Sequence, residues 1–126
     1  MIGYVTLGVN DFAASAAFYD ELMGLLGAGR FMEMEDGFIA WATAPGQPGI
    51  SIIRPFDGKA ATVGNGTMVA IAVDSPEKVD AVHQQAIALG GSCEGAPGPR
   101  GDSGFYAGYF RDPEGHKLNA FYMPAG

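Results

Sequence analysis

Apolar and polar positions along the chain fall into two successive patterns of the same order. Residues 4–9, YVTLGV, form a β-branched, apolar run that stops at Asn10-Asp11, a strand end followed by a helix N-cap. Phe12, Ala16, Tyr19, Met23 and Leu26 then recur at helical spacing, and Gly27 and Gly29 close the helix. Short strands are predicted over 30–35, 38–43 and 49–54, with Asp36-Gly37 as a hairpin turn and 44–48 as a loop. The first unit reads β-α-β-β-β.

Residues 55–66 lose this periodicity. They hold Pro55, Asp57, Gly58, Gly64 and Gly66, and read as a linker. The pattern then restarts. TMVAIAV at 67–73 is a strand, Asp74-Ser75 stops it, and Pro76 occupies the first helical position. Val79, Val82, Ala86 and Leu89 make a helical stripe closed by Gly90-Gly91, and strands follow at 92–95, 105–111 and 117–122. The last two are joined by Asp112-Pro113-Glu114-Gly115, where proline presets a type I turn and Gly115 can take the left-handed position after it. The second unit is again β-α-β-β-β. YVTLGVND at 4–11 aligns with MVAIAVDS at 68–75, and GISII at 49–53 with KLNAF at 117–121, which points to an internal duplication. A ferredoxin-like βαββαβ domain is the alternative, and it leaves the closing strand of each half without a place.

Length and charge narrow the function. At 126 residues the chain predicts a single domain, 1–126, in two halves: module one 1–56, linker 57–66 and module two 67–126. A net charge of −7 excludes nucleic acid and anionic membrane surfaces as partners, since no row of Lys and Arg is present to neutralise phosphates. No apolar run of about 18 residues spans a membrane. The N-terminus lacks the basic region of a secretory signal, and the lone Cys93 fits a reducing cytoplasm.

Three stretches carry a family resemblance: VNDFAASAAFY at 9–19, GTMVAIAVD at 66–74 and RDPEGHKL at 111–118. Together and in this order they resemble the glyoxalase / bleomycin-resistance / extradiol-dioxygenase superfamily, the vicinal oxygen chelate proteins. The resemblance covers Tyr4 to Tyr122. It implies an α+β fold of two βαβββ modules forming a curved, half-open barrel around one cavity, with dimerisation common. Metal-dependent relatives hold a divalent cation with His or Gln from the first strand of each module and Glu from the last. Those positions fall here on Tyr4, Ser51, Met68 and Asn119. A phenol, a hydroxyl, a thioether and an amide supply neither imidazole nor carboxylate to offset the cation.

The resemblance therefore implies a protein that has lost the metal ligands and binds a small aromatic or planar molecule, with no metal and no cofactor. The alternative is a lyase, isomerase or dioxygenase like lactoylglutathione lyase, with or without a divalent metal. Tyr4, Ser51, Met68 and Asn119 are the expected cavity walls, joined by Trp41, Tyr106, Phe110 and Phe121. No catalytic residue is assigned. The Gly/Pro-rich stretch 95–104, GAPGPRGDSG, is a candidate lid with Arg100 or Asp102 meeting a polar ligand, or else a plain connector. His83 reads as a border residue of the second helix and His116 as exposed after the hairpin turn. The remaining expectations are a cytoplasmic homodimer and a small-molecule ligand.

Overall fold

The computed structural model of the protein describes residues 1–125, in the order β1 (Tyr4–Gly8), α1 (Phe12–Gly24), β2 (Gly29–Met34), β3 (Phe38–Ala42), β4 (Gly49–Ile53), β5 (Val69–Ala72), α2 (Pro76–Ala88), β6 (Ser92–Pro99), β7 (Tyr106–Arg111) and β8 (Lys117–Tyr122). The strands form two four-stranded sheets, ordered β1-β4-β3-β2 and β5-β8-β7-β6. In each, the first strand runs parallel to the last and the other pairs are antiparallel hairpins. This is an α+β chain built twice from βαβββ, the order read from the sequence. Among the described residues no helix is long and apolar enough to cross a membrane.

The caps explain where the helices begin. The Asp11 carboxylate accepts from Ala14 N at 3.1 Å, and the Ser75 hydroxyl accepts from Lys78 N at 3.1 Å, with Pro76 in the first turn. α1 stops at Gly24, two residues short of the expected end, because Leu25, Leu26 and Gly27 close it with tightened turns onto Leu22, Met23 and Gly24.

In the first unit, α1 lies against β2, β3 and β4. Register puts Leu7, Ile39, Trp41, Ile50 and Ile52 on one face, all buried, with Tyr19 of α1 tilted against Trp41 at 5.7 Å. Segment 55–63 stays with this unit. Asn10 bonds both backbone groups of Ala61, at 3.2 and 2.7 Å, and the first compact unit accordingly runs Met1–Val63.

In the second unit, α2 lies against β6, β7 and β8, burying Val79, Val82 and Ala86. Leu118, Ala120 and Phe110 are fully buried on the face toward α2. The β7–β8 turn is more elaborate than a proline-glycine turn. Asp112 accepts from the backbone N–H of Glu114 and His116 and pairs with His116 Nδ1 at 2.8 Å, while Gly115 takes φ +99°. His116 is therefore buried at 4% exposure, not exposed as its place after a turn glycine suggests.

Candidate functional site

Asn119 sits in the middle of β8, opposite Tyr109 of β7 and Ala70 of β5. Alternation puts Lys117, Asn119 and Phe121 on the face of the sheet away from α2, since Leu118 and Ala120 between them fill the helix side. Asn119 is only 2% exposed, and its Oδ1 has no hydrogen-bond partner. A neutral buried acceptor left unpaired costs roughly 1–3 kcal/mol. An amide is an expensive choice for this position unless something completes it.

The neighbours of Asn119 are aromatic and cationic. The Tyr109 ring has the Arg100 guanidinium 5.5 Å from its centroid and the Lys117 ammonium 5.7 Å away. The guanidinium of Arg100 lies over two glycines of β6: a Cβ on Gly95 or Gly98 would stand 3.4 Å from its nitrogens, at ordinary contact distance. The guanidinium donates to the carbonyls of Ala96 at 2.8 Å and Gly98 at 2.9 Å, which pins it. Phe121 stacks on Phe105 at 5.7 Å along the same face. Arg111, also on this face, is neutralised by Glu94 at 2.6 Å.

The structure places the sequence candidates on both faces of the sheets. Asn119 and Phe121 share the helix-free face of the second sheet. Met68 precedes β5 and is 41% exposed, because the strand begins at Val69 and not at 67. In the first unit Tyr4 and Ser51 lie on the helix-free face. Tyr4 is exposed and packs edge-on to Phe38 at 6.5 Å. Ser51 is buried, its hydroxyl donating to the Val5 carbonyl at 2.9 Å and lying 2.9 Å from Thr6 Oγ1.

Trp41, Phe110 and Tyr106 are on the other face. Trp41 pairs in register with Ile50, packs on Tyr19 and donates its indole N–H to Asp20 of α1 at 2.9 Å. Phe110 pairs with Leu118 and meets His83 edge-on at 6.3 Å. Tyr106 donates its hydroxyl to Asp80 of α2 at 2.8 Å, which raises its pKa. All three belong to the helix–sheet layers, and strand parity is the reason. The first half of the stretch expected as a lid is strand: Gly95 to Pro99 belong to β6, paired to β7 with bulges, and 100–105 connects the two strands. Asp102 is exposed in that connection.

His83, expected as a border residue of the second helix, is a second polar group inside the fold. It is buried, its Nε2 lacks a partner, and burial lowers its pKa against the opposing pull of the Tyr109 backbone and the Asp80 charge. Its neighbour Gly108 leaves the room: a Cβ there would stand 3.3 Å from the ring and 3.0 Å from Pro97. A glycine opposite a helix histidine was the available signal.

The donor set does not suit a divalent cation. Among the described residues no three His, Cys, Asp or Glu side chains come together. Of the four positions the superfamily uses, Ser51 already has hydrogen-bond partners within the first sheet, and Tyr4, Met68 and Asn119 offer no anionic ligand.

The model of the Glyoxalase/Bleomycin resistance protein/Dioxygenase superfamily matches residues 1–120. Among solved structures, the chain is similar to a glyoxalase/bleomycin resistance protein from Albidiferax ferrireducens T118. The two are 39% identical with a TM-score of 0.88, over 98% of this chain and 99% of that one. It shares its fold with a glyoxalase/bleomycin resistance protein/dioxygenase family enzyme from Burkholderia phytofirmans PsJN, at 22% identity and TM-score 0.76 over 97% and 98% of the two chains. The same holds for a glyoxalase-related enzyme from Fulvimarina pelagi, at 22% identity and TM-score 0.75 over 100% and 92%. No curated protein matches the chain.

Proposed function

Because the chain belongs to the glyoxalase/bleomycin-resistance/dioxygenase superfamily, we propose that it is a small-molecule-binding protein that has lost the superfamily's metal ligands and takes an aromatic or planar compound. The observation that carries this reading is the buried, unpartnered Oδ1 of Asn119, at the position where metal-dependent relatives place a glutamate. A carboxylate there would bring charge for a cation. An amide brings a neutral acceptor, which an N–H or O–H of an organic ligand completes. The Phe105–Phe121 stack on the same face supplies flat apolar surface. Burying about 300 Å² of such a ligand is worth roughly 7 kcal/mol before ordering costs, enough for micromolar affinity with one or two hydrogen bonds.

The protein acts as a homodimer in this reading, the common assembly of the superfamily. The wholly exposed edge strand β2, with Phe31 and Met34, favours self-association. A cytoplasmic location suits the exposed free thiol of Cys93.

Isothermal titration with a panel of planar aromatic compounds, alongside elemental analysis of the purified protein, tests the proposal. Micromolar binding with no stoichiometric metal is expected. One tightly held zinc, nickel, manganese or iron per chain, or metal-dependent turnover of a glutathione hemithioacetal or a catechol, overturns it.

A further inference from the structure

The chain carries a net charge of −7, yet the helix-free face of its second sheet is locally positive. Arg100 and Lys117 flank the Tyr109 ring from the β6 side and the β8 side, at 5.5 and 5.7 Å. Among the described residues neither has a carboxylate partner. Arg100 is held by neutral carbonyls, and Lys117 has only the ring. The third cation of the face, Arg111, shows the contrast, since Glu94 closes on it at 2.6 Å. Two cations left uncompensated in an acidic protein, one of them seated over two strand glycines, make a field waiting for an anion.

Spacing sharpens this. Lys117 and Asn119 are two residues apart on one face of β8, so their Cα atoms are about 7 Å apart along the strand. We propose that the ligand of this face is a planar aromatic carboxylate, its charged group drawing Lys117 off the Tyr109 ring, its own ring beside Tyr109, and an N–H or O–H at the far end presented to Asn119 Oδ1. The inference rests on the small-molecule reading of the same site and adds the ligand's charge and the placing of its donor. The charged group pairs with Lys117 as a charge-assisted hydrogen bond, and Arg100 strengthens the field without changing its own bonds.

The test uses 4-hydroxybenzoate, whose hydroxyl and carboxylate stand at opposite ends of one ring, against its neutral counterpart 4-hydroxybenzamide. Titration calorimetry on the full chain is expected to give on the order of 10-fold tighter binding for the carboxylate. That preference is expected to shrink toward unity in Lys117→Met and at high salt. Equal affinity for the two compounds overturns the inference and leaves the small-molecule reading standing. So does a carboxylate preference that Lys117→Met leaves intact. Binding of neither probe, with neutral planar compounds binding instead, also rejects the anion. Failure of every planar compound, charged or neutral, overturns the small-molecule reading and this inference together.

Discussion

At the scale of single residues, two buried polar atoms stand out because nothing in the fold answers them. Asn119 Oδ1 and His83 Nε2 lie on opposite faces of the same sheet, one away from α2 and one beneath it. Leucine has the branching and heavy-atom count of asparagine and asks for no partner. Asn119→Leu is therefore expected to raise the unfolding free energy by about 1 kcal/mol in urea while abolishing ligand binding. A variant both less stable and still binding would show that the amide serves packing. For His83 the sign follows from burial, which comes first and holds its folded pKa below the ordinary 6.5. The unfolded chain takes up the proton first as pH falls. The stability this residue contributes is complete above about 6.5 and is lost as pH drops through the lower folded value. His83→Leu is expected to flatten the stability curve over that acid window. His116 is present in both proteins, so the difference between the two curves reports His83 alone. Neither atom's state was legible in the sequence. The resemblance pointed to Asn119, but burial without a partner depends on three strands meeting.

At the scale of elements, the helix starts, the hairpin at 112–115 and both closing strands were written in local signals: Asp11 and Ser75 as caps, Pro76 at the first turn, Asp-Pro-Glu-Gly between two apolar runs. Facing was not. Strands β3 and β7 carry aromatic residues on both faces, so Trp41 and Phe110 gave no parity in the sequence, and pairing with Ile50 and Leu118 decided it. The β6 extension was hidden as well, because Gly-Ala-Pro-Gly-Pro reads as a loop and pairs only through bulges. Glycines that look alike in sequence separate in the fold. A Cβ on Gly91 would stand 2.5 Å from the Arg111 carbonyl and 2.7 Å from that of Ala86, where α2 hands over to β6. At Gly24, the last residue of α1, it would meet nothing within 4 Å. Gly91→Ala is expected to cost about 3 kcal/mol and Gly24→Ala to add about 0.5 kcal/mol, both read from urea midpoints at unchanged slope. Equal effects at the two sites would mean the α2–β6 junction relaxes freely.

At the scale of the whole chain, the duplication was legible in YVTLGVND and MVAIAVDS because strand, stop and cap recur in the same order, and the two sheets repeat it strand for strand. Duplication also frames the proposed loss of metal chemistry. The superfamily's design draws its ligands from the first and last strands of both halves, so a single substitution would leave a weakened site. At the positions the resemblance assigns, both halves here carry neutral groups, Tyr4 and Ser51 in one and Met68 and Asn119 in the other. Thermal unfolding makes the consequence measurable. A resident metal at a hundred times its dissociation constant would add about 2.7 kcal/mol. At this chain length that raises the midpoint by roughly 8 °C. Neither dialysis against a chelator nor addition of zinc or nickel is expected to move the midpoint by more than about 1 °C, whereas a planar carboxylate at the same multiple of its own constant shifts it by the full amount. A chelator-sensitive midpoint would place the chain back among the metal-dependent members, with ligands outside the four strand positions.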